Sequence, residues 1–329
     1  MRANVERWER RQVPLYLAAL VLGAVVGVLM PGVARPAELA ITPVLGLLLY
    51  VTFLGVPLDR LRRAVRDGRF LLTLLVVNVG VVPLVAFALS RLVAHDPALE
   101  VGLLLVLLAP CVDYVIVFTG LAGGAQDRLL AAAPVLMLVQ LVSVPVGLRL
   151  IVGPGVVADV DLAPFARAFL LLLVVPLVAA ALTRALARRT RAGRLVRDGM
   201  PATMVPLMML TLAAVVASQI AGVERRLGSL LPVIGACALF AAIMLVLGVA
   251  AGRVARLDVP ARRALALSGM TRNSLVVLPL ALALPAHLDL APLVVVTQTL
   301  VELLVMVAAV RLVPWMIPLR ERRPRAGRA

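Results

Sequence analysis

Lysine is missing altogether, so all 33 basic side chains are arginine. Only 15% of the 329 residues are charged and 4% are aromatic, and histidine and cysteine occur twice each. Both cysteines, Cys111 and Cys237, fall inside apolar runs, which supplies neither a disulfide framework nor a zinc pattern. The two histidines, His95 and His287, lie between apolar runs, where they are expected to be solvated. No HExxH, GxSxG or GxGD pattern occurs, so an embedded hydrolase lacks its nucleophile, base or metal cluster. The chain reads as a non-enzyme with no cofactor. No ATP site is present either, so any transport work would draw on an ion gradient or a separate partner protein.

What fills the chain instead is apolar side chain, at 63% of residues with a mean hydropathy of +1.07. Soluble domains run at roughly 45–50%. Ten stretches are long enough to cross about 30 Å of hydrocarbon at about 1.5 Å per residue. They run 13–30, 37–57, 70–93, 98–122, 129–152, 164–183, 200–221, 231–252, 264–286 and 291–313. None alternates like a barrel strand, and lipid offers backbone groups no partner, so helices are expected. The fold class expected is therefore an all-α integral membrane protein with ten transmembrane helices.

Arginine placement orients it. The N-terminus, the loops after spans 2, 4, 6 and 8 and the segment from Arg311 hold or border 26 arginines, against 6 for the alternate loops. That asymmetry puts both termini in the cytoplasm of a bacterial-type inner (plasma) membrane, and it makes a soluble nucleic-acid-binding surface an unneeded explanation of the +16 charge. The basic start MRANVERWERRQ before VPLYLAALVLGAVVGVLM has no A-x-A cleavage site and reads as a retained helix. Residues 320–329, ERRPRAGRA with its preceding arginine, read as a basic cytoplasmic tail on the anionic leaflet. The arginine left over is Arg272, inside span 9.

Secondary transporters are often built from inverted repeats. A shift of 162 residues carries the start of span 3 at Phe70 onto Pro232 and that of span 5 at Leu129 onto Ala291. The same shift carries Cys111 onto Asn273 and Gln140 onto Glu302, with little residue identity. Two five-helix repeats follow, 1–152 and 153–319; five is odd, so the second enters from the opposite face and the topology is inverted 5+5.

An ionisable group at mid-span costs roughly 2.5–3.5 kcal/mol on insertion scales, so such groups face a cavity or the bundle interior. Asp113, Arg272 and Glu302 fit that description. Span 4 carries Pro110 beside Cys111, and span 9 carries Gly269 with Thr271, Asn273 and Ser274. Paired interruptions at matching positions point to a midplane binding site. Spans 4 and 9 are thus expected to be broken and to cross there.

The segments LAPCVDYVIVF, TRNSLVVLPLALALP and VTQTLVELLVMVAAVRL, with the order of ten spans, resemble the arsenite permeases of the bile acid:sodium symporter superfamily. The resemblance implies a core and a panel domain, with unwound spans 4 and 9 crossing in the core. It implies an arsenite role for Cys111, after Ala-Pro, and for Glu302 in the last span. Those permeases typically place Phe-Glu after the span 9 asparagines, where this chain reads Arg272-Asn273-Ser274-Leu275-Val276; Asp113 stands two after the cysteine, so a carboxylate lost from one crossing helix is gained on the other.

Alternatives stand at several positions. Cys111 reads either as a small buried hydrophobe or as a soft ligand for a thiophilic metalloid. Asp113 and Arg272 read as a structural ion pair or as separate functional groups. Glu302, with Gln298 and Thr299 at i−4 and i−3, reads as a hydrogen-bonded cluster or a proton carrier. The expected function is arsenite or antimonite efflux by proton exchange. Cys111, Asp113, Arg272, Asn273 and Ser274 would form the substrate site, with Cys111 touching the metalloid. Asp113 and Glu302 would carry the proton, supported by Pro110, Thr271, Gln140, Gln298 and Thr299. The partners expected are a small inorganic or organic anion, protons or sodium, and the lipid bilayer. An ion-coupled carrier of an organic anion held by Arg272 is the alternative, and a channel the weaker one.

Overall fold

The computed structural model describes residues 12–55, 67–112, 114–153 and 170–318. Among them the regular structure is helical and there is no strand. The chain begins with α1 (Gln12–Leu29) and α2 (Ala34–Gly55), followed by α3 (Gly68–Leu75) and α4 (Val82–Ser90), which form span 3. Span 4 is two pieces, α5 (Pro97–Leu107) and α6 (Tyr114–Leu121), and α7 (Gln126–Val152) is span 5. After α8 (Val175–Arg189) come the short basic α9 (Arg191–Gly199), α10 (Met204–Arg225) and α11 (Leu227–Val254). Span 9 is again divided, into α12 (Val259–Met270) and α13 (Ser274–Leu282), and α14 (Ala291–Met316) closes the described chain.

Among the described residues six helical stretches are long and apolar enough to cross a bilayer: Pro31–Gly55, Gly68–Ser90, Gln126–Val152, Arg191–Gly222, Leu227–Val254 and Ala286–Met316. Three of the four stretches that make up the difference from ten are shorter as helices, and the fourth, span 6, lies only partly among the described residues. Spans 4 and 9 are cut into halves too short to cross alone, Pro14–Leu29 is a shorter apolar helix, and the described part of span 6 begins at Leu170. Residues 154–169 and the tail 320–329 lie outside the described residues.

Local sequence explains the irregularities. The hexapeptide VVPLVA occurs at 81–86 and at 174–179. In both places a π-helical turn, Val76–Val81 or Leu170–Val174, precedes or overlaps it. Pro83 and Pro176 each lack the N–H that would close the preceding turn, and the ladder loosens upstream. Helix starts are capped by aspartates: Asp67 accepts from the Phe70 N–H at 3.2 Å, Asp96 from Ala98 at 2.8 Å, and Asp258 from Ala261 at 3.0 Å. Asp96 and Asp258 are 162 residues apart, as are the first residues of α5 and α12.

The helices sort into two packed groups. One joins α1, α2, α8 and α10; the other joins α4 to α7 with α11 to α14, and α10 and α14 link the groups. Each group draws on both halves of the sequence. Within the first group α1 meets α10 backbone to backbone: an added Cβ at Gly23 or Gly27 would lie 2.6 Å from the carbonyl oxygen of Ala213 or Ala217. This is small-residue packing of the type that holds helices together in lipid.

Loops meet by parity. Arg128, in the first turn of α7 just after the connection that follows span 4, lies 3.1 Å from Asp67 after span 2 and 2.8 Å from Asp258 after span 8. At the other end Arg226 and Asp289, after spans 7 and 9, approach to 3.9 Å. Arg263, which the arginine tally assigns to a loop, is instead 5% exposed: it donates to the Ile317 carbonyl at 2.8 Å and the Ala122 carbonyl at 2.9 Å, tying the ends of α14 and α6 to α12.

Candidate functional site at a helix crossing

Two helix breaks meet in the second group. The first follows Leu107, where Pro110 has no N–H to extend the ladder. The second follows Met270, where Thr271 turns to extended backbone, φ −106° and ψ 144°. The Asn273 N–H donates to the Ala109 carbonyl at 2.8 Å, and Pro110 and Arg272 form an isolated antiparallel bridge. The interruptions expected from sequence therefore come together through their backbones. The residues that pair there, Pro110 and Arg272, are themselves 162 apart.

The crossing is buried and polar. Arg272 is fully buried. Its Nη2 donates to Asn78 Oδ1 at 3.0 Å, to the Ser268 carbonyl at 2.9 Å and to the Gly269 carbonyl at 2.7 Å; Nη1 donates to the Leu107 carbonyl at 3.3 Å. The guanidinium also lies over the Phe240 ring, 5.3 Å from its centroid. A buried cation is tolerated only with such compensation. The Arg272 backbone N–H donates to Glu302 Oε2 at 2.7 Å, and the Gln298 side-chain amide donates to the same oxygen. Glu302 and Gln298 are thus a working i, i−4 pair. Thr299 turns its hydroxyl to the Val295 carbonyl of its own helix at 2.9 Å, and Thr271 does the same to Leu267 at 2.9 Å.

Asn273 has two duties. Its side-chain oxygen caps α13 by accepting from the Val276 N–H at 3.3 Å, and its amide reaches Gln140 Oε1 at 3.5 Å. Cys111 is fully buried in the first break. Ser274 is 1% exposed, and its hydroxyl has no hydrogen-bond partner among the described residues. Asp113 lies outside the described residues. Cys237 is buried in α11, while His95 and His287 are exposed in loops.

Two participants escape a reading by sequence. Asn78 was detectable as the lone amide of span 3, five residues before Pro83, in the turn where the ladder loosens. Phe240 gives no signal, being apolar in an apolar helix. The two are 162 apart and both face Arg272.

A separate cavity of about 910 Å³ lies away from the crossing, between α2, α7 and α8. Phe53, Pro134 and Leu177 give it an apolar wall, and Arg184, Arg188 and Arg189 a basic one. Arg184 Nη2 also donates to the carbonyls of Phe53 and Leu54, at 2.6 and 3.0 Å, capping the end of α2.

Residues 42–226 match the profile of the sodium bile acid symporter family, more than half of the chain. The chain belongs to the sodium bile acid symporter family. No curated protein matches it. Membership of the family and six long apolar helices make it a multi-pass membrane transport protein. The matched region holds Cys111 and Gln140 but stops before Arg272, Asn273 and Glu302, so the half of the crossing with the buried arginine lies beyond it.

Proposed function

We propose that the chain is a ten-span, inverted 5+5 secondary transporter that moves arsenite or antimonite out of the cytoplasm in exchange for protons. The observation that carries the transporter reading is the backbone pairing of two helix breaks around a buried polar cluster. Support for the repeat comes from the recurrence of one register: Asn78 and Phe240, Pro110 and Arg272, Cys111 and Asn273, and Gln140 and Glu302 are all 162 apart and gather at the crossing. The grouping of α1, α2, α8 and α10 against the other helices suits a panel and a core that move as rigid bodies to alternate access. The meeting of loops by parity favours the arginine-rich connections on one side, with both termini in the cytoplasm of a plasma membrane.

Cys111 sits in the break where a thiophilic solute would be gripped. Arsenous acid would exchange one hydroxyl for the thiol: a sulfur–arsenic bond forms, an arsenic–oxygen bond breaks, and the thiol proton leaves with the hydroxyl as water. Asn273 and the Ser274 hydroxyl supply polar contacts. Protonation of Asp113 or Glu302 from outside then favours the reverse exchange: a water molecule re-forms the arsenic–oxygen bond, the sulfur–arsenic bond breaks, the thiol regains its proton from that water, and arsenous acid leaves.

The test is arsenite accumulation in an arsenic-sensitive host expressing wild type, Cys111→Ser and Asp113→Asn. Lowered accumulation with wild type, lost in Cys111→Ser, is expected. Unchanged accumulation with well-inserted wild-type protein removes the substrate, and full activity of Cys111→Ser removes the thiol. A second reading, ion-coupled carriage of an organic anion, is favoured by the arginine-walled cavity and by the family's name; uptake of a bile acid blocked by Arg188→Ala would support it. A channel would pass the solute without responding to an imposed proton gradient.

A further inference from the structure

Helix ends converging in a buried interior pose an electrostatic problem. The last carbonyls of a helix lack intrahelical donors and sit at the negative end of its dipole. Here α5 ends at Leu107 and α12 at Met270; the carbonyls of Ser268 and Gly269 converge with the side-chain oxygen of Asn78 on Arg272 Nη2, and the Leu107 carbonyl faces the adjoining Nη1. The four acceptors come from three separate elements: the π-helical turn in span 3 and the ends of the two broken helices. All are neutral, hard oxygen ligands, the kind that replace the hydration shell of an alkali cation in membrane proteins. What occupies their focus is the guanidinium of Arg272, 2.7 to 3.3 Å from each, with the Phe240 face closing one side.

We infer that Arg272 is a tethered cation standing in an alkali-ion cradle, so that this transporter needs no sodium ion there and an Arg272 truncation makes it sodium-dependent. The inference deepens the reading of this site as the coupling centre, but cation binding can be measured without transport. A side chain from the same break fills the cradle at no cost in translational freedom and cannot leave during a cycle. The positive charge at the crossing is therefore constant. A gradient that drives the cycle must act through another group, which is consistent with the proton rather than sodium as the coupling ion.

The experiment is thermal unfolding of the purified full-length protein in sodium, potassium and choline chloride at fixed ionic strength. Wild type, Arg272→Ala, Arg272→Gln and Arg272→Lys are compared. Wild type and Arg272→Lys should melt at the same temperature in all three salts. Arg272→Ala and Arg272→Gln should melt lower in choline and recover by several degrees as sodium rises, with the logarithmic dependence of ligand linkage. Because sodium refills the cradle, both truncations should be recoverable when extracted in sodium. The inference is overturned if wild type is itself stabilised by sodium over choline, if the folded truncations are indifferent to every alkali cation, or if neither can be recovered in sodium. Proton-driven efflux by wild type in sodium-free buffer tests the transporter reading separately: its loss with the melting pattern intact would remove the coupling consequence and leave the cation cradle standing.

Discussion

The N–H of Asn273 reaches across the crossing to the carbonyl of Ala109 at 2.8 Å, while the side chain of the same residue caps α13 by accepting from Val276 at 3.3 Å. One residue thus joins the two broken helices and starts the second half of one of them. Its backbone and its side chain can be separated by mutation, because only the second depends on the amide group.

Asn273→Ala keeps the backbone bond to Ala109 but removes the cap and the 3.5 Å contact with Gln140. Losing the cap costs about 1 kcal/mol. Asn273→Asp restores a capping oxygen but cannot donate to Gln140. The expected outcome is a lowered melting temperature for Asn273→Ala alone, with transport impaired in both. Equal melting temperatures for the two variants would show that the cap contributes little.

Glu302 uses one oxygen, Oε2, to receive both the Arg272 N–H and the Gln298 amide. Glu302→Gln retains an acceptor for the backbone N–H, so its stability should stay within about 1 kcal/mol of wild type. It cannot take up and release a proton. In vesicles with an imposed pH gradient, its arsenite flux should no longer track the gradient. Flux that still tracks it would move the proton to Asp113, and Asp113→Asn in the same assay would then carry the defect.

These relationships were legible in unequal measure. The breaks announced themselves because Pro110 and the polar run from Thr271 to Ser274 are expensive inside a span, and an expensive residue has a reason to be there. Arg272 stood out by the same rule, but the carbonyls of Leu107, Ser268 and Gly269 that receive it did not, being backbone groups that every residue has and no sequence pattern marks. Arg263 misled for a related reason. It adjoins a loop in sequence, yet α12 begins at Val259 rather than near 264, which places its side chain against carbonyls at the ends of two other helices. The breaks in spans 4 and 9 remove two of the ten apolar stretches from the long helices, and the shorter Pro14–Leu29 removes a third.

Gly27 is held by shape. A Cβ there would lie 2.6 Å from both the Ala217 carbonyl oxygen and Ile220 Cγ2. Gly27→Ala should shift α1 from α10 and destabilise by about 1–3 kcal/mol, the usual range for overpacking, with Gly27→Leu worse. Gly32, which has nothing within 4 Å of an added Cβ, is the matched control, and Gly32→Ala should leave melting unchanged. Replacing glycine by alanine restricts the unfolded chain and on that ground alone stabilises, so equal losses at the two glycines would show that the close approach at Gly27 is not their cause.

Arg128 ties together two capping aspartates, one from each of two other connections. Its bond to Asp258 is bidentate, at 3.1 and 2.8 Å, and its approach to Asp67 is single, at 3.1 Å. Because the side chains are 31% to 51% exposed, each pair should contribute no more than about 1 kcal/mol. Asp258→Asn and Asp67→Asn keep the oxygen that caps α12 and α3 while removing the charge, so double-mutant cycles with Arg128→Ala isolate the ion pairs from the caps. The coupling to Asp258 should exceed that to Asp67, since two parallel N–H donors meet one carboxylate. Both couplings should shrink as salt rises, because charges this accessible are screened within about 8–10 Å at ordinary ionic strength. A coupling undiminished in molar salt would mean that the cluster is shielded from water. Arg128 would then be a closed tie between connections rather than a surface contact, and its loss should impair transport as well as stability.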